Sequence, residues 1–241
     1  MKRKRLILVA TDKGGVGKST FSIHVADYLK EKGEKFIAFD PDSANNSFAR
    51  FFTENGKPEK WMRFINIMED TSLDQITKAL EEETDIVLVD GIASQQKAFL
   101  NWIEEIDLFN RRKELSLDIT FVLVVDEDVD TVEQVLTTVK RAEENVEYLV
   151  VKNLKNAETS EIYDSSQARK MINLFSPIEI VFPKLKGPLV TIIQSKSLTL
   201  SKASKDERVY KNDQMRFGNY KKRIWGELDK AKDLLVPKKD E

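Results

Sequence analysis

The chain alternates short, nearly unbroken apolar runs with longer segments whose apolar residues recur at helical spacing. RLILVAT (5–11), KFIAFD (35–40), MRFINIM (62–68), DIVLVDG (85–91), DITFVLVVD (118–126), EYLVVKN (147–153) and PIEIVFP (177–183) predict strands. Between them, helices are predicted over 19–33, 71–83, 96–109, 130–144 and 160–175, the first stopped by Gly33. A last helix, 218–235, carries Tyr220, Ile224, Trp225, Leu228, Ala231 and Leu235 as its stripe. Strands that are apolar throughout are covered on both faces, so the pattern predicts an α/β fold: a mainly parallel central sheet with helices on both faces. No repeat or linker interrupts it. One domain over 1–241 is expected, with a tail after about residue 235 that lacks order.

Composition narrows the chemistry. The chain has 241 residues, 41% of them hydrophobic, which is enough for a sizeable core. The absence of cysteine fits a reducing cytoplasm and excludes thiolate chemistry. With one histidine, His24, and no cysteine, a protein-held zinc site is not expected, and Ser19 and Ser94 lack a histidine base for triad hydrolysis. The basic start MKRKR precedes an apolar run too short for a signal peptide, and no run is long enough to span a membrane. The net charge of −2 hides an asymmetry, since eleven basic and only three acidic residues lie between Lys184 and Arg223. A segregated basic segment points to a polyanion partner.

The most informative stretch is TDKGGVGKST (11–20). A strand, then Gly14-Gly15-Val16-Gly17, then a helix opening at Lys18 creates a nest of backbone N–H groups at a helix N-terminus, which binds phosphate. The three glycines permit backbone angles and close approaches that side chains would block. Lys18 can reach the β- and γ-phosphates, and Ser19 can ligate Mg²⁺, with Thr20 following. The general pattern G-x-x-x-x-G-K-[ST] wants glycine where Asp12 stands, and here Lys13 is an added cation.

KGGVGKST resembles the deviant phosphate loop of the ParA/MinD group of P-loop ATPases, in which a signature lysine precedes the glycines. The resemblance covers most of the chain in order, and its first loop is its specific part. It implies ATP and Mg²⁺ as ligands and a homodimer sandwiching ATP. Lys13 would cross that interface and offset charge on the partner's transferring phosphoryl group, as an arginine finger does. FIAFDPDSANNS (36–47) resembles the family's second motif, which implies that Asp40 supports the metal region and Asp42 positions the attacking water. DIVLVDG reads as the strand whose terminal acid, Asp90, holds Mg²⁺ through water. The family's usual D-T-P-P continuation is replaced here by Gly91-Ile92-Ala93-Ser94. By the same resemblance Asn153 would read adenine, and Phe182, Pro183, Lys184 and Leu185 would pack on the base.

The basic segment is interspersed with Ser, Thr, Asn and Tyr, residue types that contact phosphate backbones without reading bases. ParA relatives bind DNA non-specifically through such C-terminal residues, which nominates Lys196, Lys202, Lys205, Arg208 and Lys211. No helix-turn-helix precedes the loop, so sequence-specific binding is not expected. The last helix is expected to pack on the core rather than anchor to a membrane, because VPKKDE follows it. The expected function is a dimerising ATPase switch for DNA partition, with slow hydrolysis timed by a partner protein. Alternatives are a mobilisation ATPase of the same group, a MinD-like membrane-associated ATPase, and a metabolic enzyme of the dethiobiotin synthetase type.

Overall fold

The computed structural model describes residues 3–41, 46–67, 69, 71–82, 84–91 and 96–238. In chain order its elements are β1 (Lys4–Val9), α1 (Lys18–Lys32), β2 (Phe36–Asp40), a 3₁₀ turn (Ala49–Phe52), β3 (Thr53–Glu54), β4 (Lys57–Pro58), β5 (Met62–Phe64) and α2 (Asp74–Glu81). Then come β6 (Ile86–Val89), α3 (Gln96–Glu105), α4 (Leu108–Arg111), β7 (Leu117–Val125), α5 (Val129–Ala142), β8 (Glu147–Asn153), α6 (Glu161–Asp164) and α7 (Gln167–Ile172). The chain closes with β9 (Ile178–Phe182), α8 (Gly187–Lys196), α9 (Leu200–Ala203), α10 (Lys211–Lys230) and α11 (Lys232–Leu235).

Seven strands form one parallel sheet in the order β5-β2-β6-β1-β7-β8-β9, and β3 and β4 make a separate antiparallel pair. Successive strand residues point to opposite faces. In β1, Ile7 and Val9 join α1 and α8 to α11 in one core, while Leu6 and Leu8 join α2, α3, α5 and α7 in the other. Burial on both faces is why the strands read as continuous apolar runs. The chain leaves β1 for β2 on one side and later crosses from β6 over β1 to β7 on the other. The loop after β1 therefore opens into the crevice where strand order reverses, the usual ligand position in such sheets.

The helices depart from the periodicity where the backbone turns left-handed. Thr71 has φ +62°, and the helix predicted from residue 71 starts at Asp74. Asp107, at φ +53°, splits 96–109 into α3 and α4. The Ser166 hydroxyl accepts from the Arg169 N–H at 3.1 Å and starts α7 afresh inside the segment predicted as one helix over 160–175. The final helix begins at Lys211, seven residues before the predicted start at 218, and a short α11 completes it. Its stripe is core: Trp225 meets the Tyr28 ring edge-on at 5.7 Å, and Tyr28 donates to Asp229 at 2.6 Å. Among the described residues, no helix is long and apolar enough to cross a membrane.

Arg5 belongs to the basic N-terminus yet is wholly buried. Its guanidinium donates to Thr120 at 2.9 Å and to Asp118 at 3.3 Å, and it pairs with Glu147, tying β1 to β7 and β8. Removing one partner of a buried ionic cluster leaves the others uncompensated. Arg5→Ala is expected to lower the unfolding free energy by about 3 kcal/mol, read from urea denaturation.

Candidate functional site

The phosphate-type loop sits between β1 and α1. Gly15 and Gly17 have φ +73° and +105°, angles that side chains resist. Gly17 also has no room for a Cβ, which would lie 2.3 Å from Asn153 Nδ2. Gly14, Gly15 and Thr20 are exposed, whereas Val16 is buried and anchors the loop. Asn153, at the end of β8, donates to the Val16 carbonyl at 2.7 Å and so braces the loop from below. Lys18, 6% exposed, folds back and donates to the Lys13 carbonyl at 2.6 Å. Among the described residues no carboxylate lies within ion-pairing distance of it, and burial lowers its pKa.

Two buried carboxylates end the neighbouring strands. Asp40 accepts from the Phe48 and Ala49 N–H groups at 3.1 and 2.8 Å. Asp90 accepts from the Ser22 hydroxyl at 2.6 Å and from the Gly91 N–H at 3.0 Å. Burial pushes Asp90 up to about 6; the Ser22 and Ser19 hydroxyls oppose the shift, and the Asp40 charge adds to it. Ser19 lies beside this group, its hydroxyl 3.3 Å from that of Ser47. Gly91 gains a physical reason: a Cβ there would lie 2.2 Å from the Val9 carbonyl oxygen and 3.0 Å from Lys18 Cδ. The expected positions Asp42, Ile92, Ala93 and Ser94 lie outside the described residues.

Lys13 is held within its own chain. Its ammonium lies 2.5 Å from Asp130 and 3.2 Å from Asp128, whose hydrogen bonds raise its pKa. The Gln134 side-chain oxygen accepts from the backbone N–H groups of Asp12 and Lys13 at 3.1 and 2.8 Å. Lys155 pairs with Asp126 at 3.2 Å and donates to the Gly15 carbonyl. The start of α5 and the residues after β8 thus hold the outer loop. None of Asp128, Asp130, Gln134 and Lys155 stands out in the sequence, apart from the Asp-x-Asp spacing at a helix start.

The remaining nominated residues divide. Phe182 is 3% exposed and stacks on Phe21 at 5.8 Å, packing its ring behind α1. Pro183, Lys184 and Leu185 follow it and are partly or fully exposed. His24 is buried between Phe182 and Tyr220, and burial lowers its pKa to about 4. Lys196, Lys202, Lys205 and Arg208 line one cavity of about 700 Å³, whereas Lys211 starts α10 outside it.

The crevice suits a nucleotide phosphate chain with a divalent cation. A buried ammonium that makes no ion pair among the described residues stands behind exposed loop glycines, with the charges of Asp90 and Asp12 favouring its charged form, and this arrangement suits an anion. Two buried carboxylates that repel each other beside a serine hydroxyl call for a cation, reached directly by Ser19. A family model described as the CobQ/CobB/MinD/ParA nucleotide-binding domain matches residues 7–207. The chain belongs to that family. It is a P-loop ATPase of the ParA/MinD type. Protein MobD of Acidithiobacillus ferrooxidans is 26% identical over 205 residues, 84% of this chain and 88% of MobD. The septum site-determining protein MinD of Pyrococcus horikoshii, complexed with Mg-ADP, is similar over 99% of this chain and 100% of its own, with TM-score 0.55 and 15% identity. The MinC:MinD cell division complex of Aquifex aeolicus gives 93%, 96%, 0.54 and 16% for the same measures. At such identities the structural likeness is one of fold.

Asp90 makes the nucleotide-free ATPase sensitive to pH. Its folded pKa is raised, so its contribution to stability is full below the ordinary carboxylate range and is lost as pH rises through about 6. With divalent cations chelated, Asp90→Asn is expected to gain about 2–3 kcal/mol on the unaltered protein between about pH 4 and 7. Urea denaturation across that range checks it.

Proposed function

We propose that this protein is an ATP-driven dimerising switch that binds DNA without sequence preference and releases it after slow hydrolysis. The observation that carries the reading is Lys13, a second loop lysine standing outside the crevice and held by surface acids. Lys18 and the loop N–H groups would hold the phosphates, Ser19 the metal, and Asp40 and Asp90 the water around it. A bound divalent cation would offset charge on the phosphate oxygens. Asp42 would position the attacking water. Asn153 and the Pro183–Leu185 segment would border the base, with Asn153 Nδ2 also serving the loop.

Lys13 has to leave Asp128 and Asp130 to reach a partner's ATP. All three side chains are at least one-third exposed. Exposed pairs of this kind are weak, so releasing them costs little beside a dimer interface. The basic cavity supports the DNA reading, because side chains chosen from the sequence for phosphate contact converge there. Between partition and mobilisation, the likeness to MobD favours mobilisation. The MinC:MinD complex is a precedent for a partner protein.

Light scattering and DNA binding, each measured with a non-hydrolysable ATP analogue and Mg²⁺, test this. Lys13→Ala is expected to retain nucleotide binding within about two-fold but lose the nucleotide-dependent dimer. Asp128→Asn with Asp130→Asn should strengthen that dimer by about two- to five-fold. DNA affinity in the unaltered protein should rise with nucleotide and fall steeply with salt. Equal, salt-insensitive affinity in every nucleotide state overturns the switch.

A further inference from the structure

The cavity lined by the C-terminal lysines is completed from the other half of the chain. Lys30, near the end of α1, and Arg50, in the 3₁₀ turn, line it together with Lys196, Lys202, Lys205 and Arg208. Six cations therefore converge from three segments far apart in sequence: α1, the 3₁₀ turn and residues 196–208. Three acids also face the cavity, and each is engaged. Asp206 is gripped by Arg208 at 2.6 Å, Glu31 by Lys221 at 2.6 Å, and Asp27 accepts from the Ser201 N–H at 2.9 Å. Lys196 and Lys205 make no ion pair among the described residues. Lys30 lies twelve residues after Lys18 on one helix, roughly 18 Å along its axis, so this cavity is separate from the nucleotide crevice.

One short segment touches both. Ser47 meets Ser19 hydroxyl to hydroxyl at 3.3 Å, and the Phe48 and Ala49 N–H groups are bonded to the buried Asp40 carboxylate. The next residue, Arg50, reaches the cavity, where it donates to Gln194 at the end of α8, and Phe52 and Thr53 form part of the cavity wall. Phe48, Ala49, Phe51 and Phe52 are buried, so the turn is packed into the core. The carboxylate and hydroxyl that would attend a bound cation are the same groups that fix residues 47–49.

We propose that the 3₁₀ turn Ala49–Phe52 couples the nucleotide crevice to this cavity, with Arg50 as the phosphate-backbone contact whose position the crevice controls. This rests on the nucleic-acid reading for its ligand class, and on the crevice contacts for its regulation. Any change in how Asp40 and Ser19 are engaged alters the hydrogen bonds to residues 47–49 and shifts Arg50 relative to the four C-terminal cations. The cavity then gains or loses one cation with the state of the crevice.

The test measures binding of two probes, a fluorescent DNA duplex and inorganic polyphosphate, with and without a non-hydrolysable ATP analogue and Mg²⁺. Arg50→Ala, at an exposed position, is expected to lower the slope of log affinity against log salt by about one in the nucleotide-bound state. It should also reduce the nucleotide-dependent change in affinity to within about two-fold, and Asp40→Asn should do the same. Hydrogen exchange at the Phe48 and Ala49 amides in the unaltered protein gives a readout independent of how Asp40→Asn folds, and protection there should change when nucleotide and Mg²⁺ bind. If Lys202→Ala and Lys205→Ala weaken duplex binding while Arg50→Ala leaves affinity and nucleotide dependence intact, the coupling is wrong and the DNA reading stands. If polyphosphate shows the whole pattern and duplex does not bind, the coupling stands and the DNA reading fails. Failure to bind either probe overturns both.

Discussion

Three buried charges meet at the carboxyl ends of the central strands: the Lys18 ammonium and the Asp40 and Asp90 carboxylates. Burying a charge is costly unless hydrogen bonds or a partner compensate it, and much of the surrounding structure supplies that compensation. The first turn after residue 47 gives Asp40 two backbone N–H groups. The first turns of α1 give Asp90 the Ser22 hydroxyl, and β6 ends in a glycine whose N–H turns back to it. The loop bends so that the Lys13 carbonyl receives Lys18. Strand order, the left-handed glycines and the missing Cβ at Gly91 are the geometry by which these charges share one crevice.

The same economy sets the loop's outer half. Lys13 lies over the start of α5, where Asp128 caps the helix by accepting from the Asp130 N–H at 2.9 Å, and both acids take the ammonium. Acids at a helix N-terminus are favourable in their own right. They therefore do not depend on Lys13, and an exposed pair of this kind is weak. The lysine is thus parked rather than locked, which is what the proposed reach to a second subunit would require.

How much of this was legible follows from which interactions are local. The sheet, its two covered faces and the crevice position of the loop are written in the periodicity of β1, β6, β7 and β8 and in the glycines between β1 and α1. Asp40 and Asp90 are visible because acids that end apolar strands need a reason. Other features depend on contacts between distant segments. Left-handed Thr71 and Asp107 carry no glycine to announce them, and Arg5 looks like part of a basic tail. The packing of Phe182 on Phe21 joins β9 to α1 across the sequence. Lys30 and Arg50 read as ordinary surface charges until the fold brings α1 and the 3₁₀ turn beside α8 and α9.

The crevice residues answer to one chemistry, whereas the exposed cations answer to whatever the protein must hold. Here four of the C-terminal cations gather against a packed turn whose backbone is bonded to the crevice carboxylate. A basic face placed anywhere else would sense the nucleotide only through dimerisation. Placed against residues 47–53, it can sense the nucleotide within one subunit. In the proposed dimer the number of phosphate contacts would double, which would multiply affinity and steepen its dependence on salt.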